Sequence, residues 1–417
     1  MRASIKGQPS VLKKLNRTLI LDLLRAEGPM SRADLARKTT LSPPTISRLV
    51  SELAASGLVE EAGVELGSSP GRNGVLFRFR SDLAYCIGVH VGERKIRGVV
   101  ADLDIDVLHT VEMPSHTAAG EETTVDQVIR AVDALTAGAG LPLDKVKALV
   151  VGVPGIVDPA TRRVVDAPHI RGWRDFPLAE RLERRFPSLV IGVRNDVNLA
   201  LLGERWAGAA KDVDSALLVS YQTGIGCGIL LQGHLYEGAR GTAGEIGFMT
   251  VSDDGVLPAA APVQGGYGWG NLERVAGGLA LVAKARQAIA AGAQTVLRQT
   301  DPARASDLSP EDIFLAAARG DGLARSLVDE ACRYVGTAVA NAVALLDPDA
   351  VIIGGDALIA GEYVTDRIAA VVRRLLPFPV KVVHAHLGNQ ASAYGALVEA
   401  RDIALNLIVS RHEVVAT

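Results

Sequence analysis

The sequence predicts a mixed α/β protein made of an N-terminal winged helix-turn-helix and a larger, two-lobed α/β domain. In the first eighty residues, three apolar patterns of helical spacing precede a basic, glycine-rich hairpin. From Tyr85 onward, apolar runs ending in glycine-rich turns alternate with helical stretches, and a strand–turn–strand unit occurs near residues 85 and 215. A chain of 417 residues is too long for one ordinary core. We therefore place a head at 1–80, a first lobe at 84–197 rejoined by a C-terminal helix at 390–417, and a second lobe at 198–389.

The composition is that of a globular protein, with 48% hydrophobic, 22% charged and 4% aromatic residues, which excludes extensive disorder. No apolar run reaches the roughly 18 residues that a membrane-spanning helix needs, and the first ten residues lack the apolar core of a secretory signal. The three cysteines, Cys86, Cys227 and Cys332, form no metal-binding or disulfide pattern. We expect a cytoplasmic protein without a membrane partner.

The charge is unevenly distributed along the chain. The formal net charge is −3, yet residues 1–80 contain 13 Lys/Arg and 7 Asp/Glu, which leaves 31 basic and 40 acidic residues elsewhere. A basic first fifth on an acidic body is typical of a module that binds a polyanion. Many helical surfaces carry a modest basic excess, so charge alone does not establish such a module.

Local signals define the three helices of the head. The first covers residues 16–27, where apolar residues follow helical spacing until Gly28-Pro29. Ser31 is placed to cap the second helix, with Asp34 three residues later as in a capping box. Ser42 is placed to cap the third helix, which prolines enter at its first turn and Gly57 ends. Its buried stripe consists of Ile46, Leu49, Val50 and Leu53.

The third helix and the hairpin that follows it predict contact with double-stranded DNA. Short hydroxyl side chains and one arginine suit a helix that enters the major groove, and they comprise Ser42, Thr45, Ser47, Arg48 and Ser51. Arg72 and Asn73 at the hairpin tip could reach the DNA backbone or the minor groove. The alternative is a helical bundle used for protein contacts. The charge, the hairpin and the helix spacing together favour DNA binding.

The longer domain resembles a known family. The stretches GVPGIVD, APHIRGW, NDVNLALLGE, TGIGCGILLQGHLYEG, GTAGEIGFM and VIIGGD closely resemble the ROK family of repressors, open reading frames and sugar kinases. The head, with LNRTLILDLL and LSPPTISRLV, resembles the winged helix-turn-helix of the repressor branch. The resemblance spans nearly the whole chain. It implies a two-lobed, actin-like ATPase fold, a sugar site in the cleft, and assembly as a homodimer or homotetramer.

The hairpin that holds ATP in ROK kinases is altered. Those kinases carry Asp-x-Gly-Gly-Thr, whose backbone N–H groups hold the phosphates, and the matching residues here are His90, Val91, Gly92, Glu93 and Arg94. Phosphoryl transfer relies on positioning and on charge stabilisation around the phosphates. Glutamate at this position would repel phosphates, so we expect a protein that is not an enzyme and needs no cofactor. Arg94 leaves three readings open: an affinity for phosphorylated effectors, an ion pair, or exposure to solvent.

Several positions that face the sugar in the family are kept, although His169 replaces the family's usual asparagine, which indicates an altered choice of ligand. The resemblance assigns ligand contact to Gly155, His169, Asn195, Asp196, Glu245 and Glu273. Paired carboxylates accept hydrogen bonds from vicinal hydroxyl groups and discriminate sugars strongly. The alternatives are that Asp196 only caps a helix beginning at Val197, that the two glutamates are exposed surface residues, and that His169 is structural.

The zinc site of the family is absent. Phe248 replaces the histidine that follows Gly-Glu-Ile-Gly, and residues 261–273, APVQGGYGWGNLE, contain no cysteine. Without these four ligands a tetrahedral zinc site cannot form there, so we expect no metal.

These observations predict a transcriptional regulator, most simply a repressor of carbohydrate metabolism genes, controlled by a sugar or sugar-derived ligand. Its partners would be an operator in double-stranded DNA and the effector. One alternative is an ATP-dependent sugar kinase with a regulatory DNA-binding head, and another is a DNA-binding protein whose cleft is vestigial. The sequence identifies neither the effector, nor the operator, nor whether the protein is a repressor or an activator.

Overall fold

The computed structural model describes residues 9–65, 74–251, 270–298 and 308–415. In the head, the elements are α1 (Pro9–Glu27), β1 (Met30–Ser31), α2 (Arg32–Thr39), α3 (Pro43–Ala55), β2 (Val59–Glu65) and β3 (Gly74–Phe79). The strands pair in the order β1-β3-β2. Three helices and a hairpin backed by a third short strand form a winged helix-turn-helix, as the sequence predicts.

The predicted helix signals in the head are confirmed. The Ser31 side chain accepts a hydrogen bond from the backbone of Asp34, whose carboxylate bonds back to complete a capping box. The Ser42 side chain caps α3 by accepting a hydrogen bond from the backbone N–H group of Thr45. The predicted stripe of α3 is buried, with Ile46, Leu49 and Val50 fully inaccessible and Leu53 1% exposed. α1 begins earlier than predicted, at Pro9.

The rest of the chain forms two five-stranded sheets flanked by helices. The first region contains β4 (Tyr85–Val91), β5 (Lys95–Asp102), β6 (Val107–Pro114), α4 (Glu121–Gly138), β7 (Val146–Val153), β8 (Ile156–Val157), β9 (Val164–Asp166), β10 (Arg174–Phe176), α5 (Leu178–Arg185) and β11 (Val190–Asn195). The second contains α6 (Asp196–Ala207), β12 (Ala216–Tyr221), β13 (Ile225–Leu231), β14 (His234–Leu235), α7 (Asn271–Ala276), α8 (Gly278–Ala290), α9 (Pro310–Ala318), α10 (Gly322–Leu346), β15 (Ala350–Gly354), α11 (Tyr363–Leu375), β16 (Val382–His384) and α12 (Ala391–Val415).

The two large sheets have the same topology. The first runs β6-β5-β4-β7-β11 and the second β14-β13-β12-β15-β16. In each, an antiparallel hairpin is extended on one side by an antiparallel strand and on the other by two parallel strands. The strand–turn–strand units seen in the sequence are therefore equivalent hairpins of two related lobes. We call the lobe of the first sheet the first lobe and that of the second sheet the second lobe.

Two helices connect the lobes and the head. α6 packs against α12 and also against β13 of the second sheet, while α12 lies on β4 and β7 of the first sheet. The head shares a continuous buried apolar cluster with the first lobe and α12, in which Leu24 of α1, Ala84 and Ala400 take part. The Arg25 Nε atom also donates a hydrogen bond of 2.7 Å to Asp104 in the turn after β5. The head is thus docked on the first lobe. In the described part of the chain, no helix is both long and apolar enough to span a membrane.

Candidate functional site

A cavity of about 150 Å³ lies between the lobes, at the carboxyl ends of the parallel strands, where α/β sheets usually bind ligands. The end of β7 leads to Gly155, the end of β11 to Asn195, and the β12–β13 turn lies opposite. All six residues predicted to contact a ligand line this first cavity: Gly155, His169, Asn195, Asp196, Glu245 and Glu273. The fold thus brings the six positions together. Their role in ligand binding stays a prediction.

Asn195, and not Asp196, caps α6. The Asn195 Oδ1 atom accepts hydrogen bonds from the backbone N–H groups of Val197 (2.9 Å) and Asn198 (3.0 Å), and its Nδ2 group donates to the Gly155 carbonyl at 2.9 Å. The alternative in which Asp196 serves as the cap is therefore wrong, because α6 begins at Asp196 itself. The amide of Asn195 holds the helix and the Gly155 loop together, which leaves the Asp196 carboxylate available to the cavity.

His90 lies beside this carboxylate, with its Nε2 atom 3.5 Å from Asp196 Oδ2. The His90 Nδ1 atom is buried and has no hydrogen-bond partner in the described part of the chain. His90 lines both the first cavity and the adjoining second cavity. The histidine that replaces the kinase aspartate therefore lies next to the Asp196 carboxylate, where the two cavities meet.

Glu245 and Glu273 form the acidic end of the cavity. Burial raises the pKa of Glu245 to about 7, and the Glu273 and Asp196 carboxylates contribute in the same direction. Burial also raises the pKa of Glu273, against the lowering effect of hydrogen bonds from the backbone N–H groups of Ile225 and Gly270. Neither side chain is an exposed surface glutamate, so that alternative is wrong. Glu273 also joins α7 to the start of β13.

Gly155 and His169 line the cavity from the first lobe. Gly155 has φ of +133°, and a methyl group added there would overlap the carbonyl oxygen of Asp166, so this turn requires glycine. His169 lies in the loop between β9 and β10, where its charge would lower the pKa of Glu273.

A second cavity of about 310 Å³ adjoins the first, between the β4–β5 hairpin and residues 354–356. The Thr223 hydroxyl group donates a hydrogen bond of 2.6 Å to Glu93 Oε2 across the cleft. Arg94 forms ion pairs with Glu311 and, at 3.6 Å, with Asp356. These contacts support the ion-pair reading of Arg94. The hairpin thus places a carboxylate and an ion-paired arginine at the position that holds nucleotide phosphates in the family's kinases.

The described residues offer no metal centre. Among them, no group of three or more His, Cys, Asp or Glu side chains is arranged to hold a metal ion. Phe248 lines the first cavity at the position of the family's histidine and is 42% exposed. Most of the segment that would carry the zinc cysteines lies outside the described residues, and its sequence contains none.

The predicted DNA-contacting face of α3 is accessible. Ser42, Ser47, Arg48 and Ser51 are exposed and Thr45 is half-buried, while the hydroxyl groups of Ser42 and Thr45 are 2.8 Å apart. The Arg48 side chain is 57% exposed and 3.4 Å from Glu52, which also binds Arg17 and Lys13. An exposed pair of this kind contributes little, so Arg48 can turn to another acceptor. Arg72 and Asn73 lie outside the described residues.

The structure adds residues that sequence reasoning missed. Asp166, Gln222 and Thr223 line the first cavity, and Glu311 and Asp356 hold Arg94. The β12–β13 turn carries the TGIG stretch, so the family motif was the available signal for Gln222 and Thr223. Nothing in the sequence pairs Glu311 with Arg94.

Glu245 gives a stability prediction with a defined pH dependence. Because its pKa is raised from an ordinary value near 4.5 to about 7 in the folded chain, its contribution to stability is fully present below pH 4.5 and is lost as the pH rises to 7. Above pH 7, Glu245→Gln should therefore have a higher free energy of unfolding than the wild type, by about 3 kcal/mol, with a smaller gain at pH 5. Thermal unfolding from pH 5 to 8.5 measures this. Asp126→Asn on the exposed face of α4 is the control, and an equal gain at all pH values would contradict the assignment.

Comparisons with known proteins match both the head and the two-lobed domain to known families. The family model described as "ROK family" matches residues 86–403, and that described as "Winged helix-turn-helix DNA-binding" matches residues 15–60. The DNA-binding transcriptional dual regulator NagC of Escherichia coli K12 is 26% identical over 410 residues, covering 97% of each chain.

Two solved structures are also similar. A ROK family transcriptional regulator, a homologue of the E. coli MLC protein, superposes with a TM-score of 0.78 at 26% identity and covers 96% of this chain and 99% of its own. A ROK family glucokinase from Streptomyces griseus, solved with glucose and AMPPNP, has a TM-score of 0.65 at 32% identity and covers 76% of this chain and 100% of its own. The regulator structure therefore matches almost the whole chain, including the head, whereas the glucokinase structure matches only about three quarters of it.

Proposed function

The chain belongs to the ROK family, and because a winged helix-turn-helix precedes its ROK domain, we propose that it is a DNA-binding transcriptional regulator of carbohydrate metabolism genes. In this proposal a saccharide bound in the first cavity controls the affinity for DNA, most simply as the inducer of a repressor. One observation carries the proposal: a DNA-binding head and a carboxylate-lined cleft are packed together in the same chain.

The first cavity supports the saccharide part of the proposal. Asp196 and Glu245 present carboxylate oxygens to it, and Glu273 stands beside Glu245. Carboxylates satisfy the hydroxyl groups of a sugar, and a ligand without those hydroxyl groups leaves them unpaired at high cost. All six predicted residues, from Gly155 to Glu273, would act here, with Asn195 holding the loop of Gly155 in place.

α6 and α12 offer a route from the cavity to the head. Asp196, at the start of α6, lines the cavity, and α6 crosses α12. α12 begins at Ala391 in the second cavity, and its buried apolar residues from Ala393 to Ala404 belong to the cluster shared with the head. At about 1.5 Å per residue, the stretch from Ala391 to Ala404 spans roughly 20 Å. A ligand that binds one lobe arrangement better than the other would shift the head through this pair of helices.

The proposal excludes sugar kinase activity. The hydrogen bond between Thr223 and Glu93, and the ion pairs of Arg94, occupy the hairpin that in kinases must offer donors to phosphates. Turnover of ATP by the purified chain with any hexose would contradict this part of the proposal.

The proposal also includes assembly of two or four copies on a pseudo-palindromic operator. Each head would read one half-site, and the half-sites would be separated by whole turns of about 10 base pairs. The affinity should fall steeply with salt, because phosphate contacts release counterions.

Arg48→Ala tests the DNA-binding face. DNA selected by the wild-type chain from a random duplex pool should bind the variant about tenfold or more weakly, because a side chain that reads base edges is typically worth 1–3 kcal/mol. Fluorescence anisotropy at several salt concentrations measures the loss. Arg185→Ala on α5, where the side chain is 46% exposed, removes the same charge far from α3 and should leave the affinity unchanged. Equal affinities for wild type and Arg48→Ala would show that α3 is not the reading helix.

A further inference from the structure

The first cavity combines many acidic side chains with no permanent cation. Among the described residues that line it there is no lysine or arginine, and the only basic side chains are His90 and His169. Its carboxylates belong to Glu93, Asp166, Asp196, Glu245 and Glu273. A phosphate group carries about −1.5 to −2 charge at neutral pH. Even when Glu245 and Glu273, whose pKa values are raised by burial, hold protons, the phosphate would face the Glu93 and Asp196 carboxyl groups without any lysine or arginine among the described residues beside them.

The segment between Val251 and Gly270 cannot change this balance. Its sequence, residues 252–269, contains two aspartates and no lysine, arginine or histidine. Whatever its arrangement, this segment has no side-chain cation to offer a phosphate.

The second cavity has cations, but each has an acidic partner. Arg94 is bound by Glu311 and Asp356, while Lys95 and Arg97 share Glu112 on β6. Carboxylates also line this cavity, namely those of Glu93, Asp196, Glu311 and Asp356. A phosphate that extended from the first cavity into the second would have to displace ion pairs and would still face these four groups.

Glu93 is one of the seven described residues that lie at the boundary between the two cavities. It lines both of them, and its carboxylate is held toward the second lobe by the Thr223 hydroxyl group. A phosphorylated substituent that reaches from one cavity to the other would therefore come close to the Glu93 carboxylate.

We propose that the effector is an uncharged, unphosphorylated saccharide and that Glu93 is a specificity-determining residue that rejects phosphorylated sugars. This inference rests on the proposed function, because it presumes that the first cavity binds a saccharide. It assigns Glu93 a role in ligand choice in addition to the loss of the nucleotide site.

Calorimetry on the full chain tests the inference with matched ligands. Glucose, mannose and N-acetylglucosamine are each compared with their 1-phosphate and 6-phosphate esters, with xylose as a further neutral sugar. We expect at least one neutral sugar to bind. Its phosphate esters should bind about a hundredfold more weakly, because several carboxylates repel the phosphate and solvent ions screen this repulsion only in part. The dissociation constant of the ester divided by that of the neutral sugar should fall about fivefold in Glu93→Gln and about thirtyfold in Glu93→Lys. The first substitution removes one negative charge, and the second also adds one positive charge.

A control variant and three possible outcomes complete the experiment. Glu122→Lys makes the same charge change on α4, outside both cavities, and should leave the ratio unchanged. A phosphate ester that binds as tightly as its neutral sugar would overturn the inference and leave the proposed function standing. If no sugar or ester binds at all, the proposed saccharide control fails, and the inference with it. If the ratio is unchanged in both Glu93 variants, the proposed role of Glu93 in rejecting phosphorylated sugars is wrong.

Discussion

Asp196→Ala is expected to weaken saccharide binding by roughly a hundredfold, because hydrogen bonds to a charged acceptor contribute about 1.5–3 kcal/mol. It should thereby abolish control of DNA binding at ordinary sugar concentrations. The Asp196 carboxylate does not cap α6, since Asn195 fills that role. Removing it therefore leaves the helix start intact, and His90 loses the group 3.5 Å from its Nε2 atom.

Two measurements on the same protein separate a binding role from a structural one. Calorimetry gives the saccharide affinity, and anisotropy gives the DNA affinity without sugar, which should stay within about threefold of wild type, as judged from the separation of the two sites. Asp126→Ala removes an exposed carboxylate from α4 and serves as the control. Saccharide affinity that is unchanged in Asp196→Ala would place the ligand elsewhere.

Gly395→Ala is expected to destabilise the folded chain by about 3 kcal/mol or more, since overpacking against rigid backbone is among the most costly core changes. At this position α12 crosses α6 so closely that a methyl group would overlap the carbonyl oxygen of Leu199. Gly203 on α6 is in similarly close contact with the backbone of Ala391. Because backbone atoms cannot rotate away as a side chain can, the two helices must move apart to admit the methyl group.

A matched control makes this prediction specific. Gly322→Ala, at the first position of α10, meets nothing within 4 Å and has no positive φ, so it should be neutral or slightly stabilising. Chemical unfolding of both variants gives the free energies of unfolding. Equal stability of Gly395→Ala and the wild type would mean that α6 and α12 do not cross as described, and the proposed route from cavity to head would lose its basis.

Local signals in the sequence were sufficient to predict much of the fold. The caps at Ser31 and Ser42 and the stripe from Ile46 to Leu53 depend on residues within one or two helical turns, so their spacing determines the result. The recurrence of a hairpin near residues 85 and 215 predicted two related lobes, and the two sheets share one topology.

The membership of the site was predictable in part, and its connections were not. The family motifs identified six residues that line the first cavity but not Asp166, Gln222 or Thr223. Both Asn195 and Asp196 are suitable caps for α6, and only the backbone geometry distinguishes them. The bond from Thr223 to Glu93 joins residues 130 positions apart. Contacts of that range depend on how two lobes meet, and no local pattern contains that information.

The most direct test of the account is the affinity of the full chain for its selected DNA, measured with and without a saturating neutral saccharide that calorimetry shows to bind. The account predicts a change of about 5- to 150-fold, corresponding to a coupling free energy of 1–3 kcal/mol, and the loss of that change in Asp196→Ala. A saccharide that binds the first cavity and leaves the DNA affinity unaltered would contradict it.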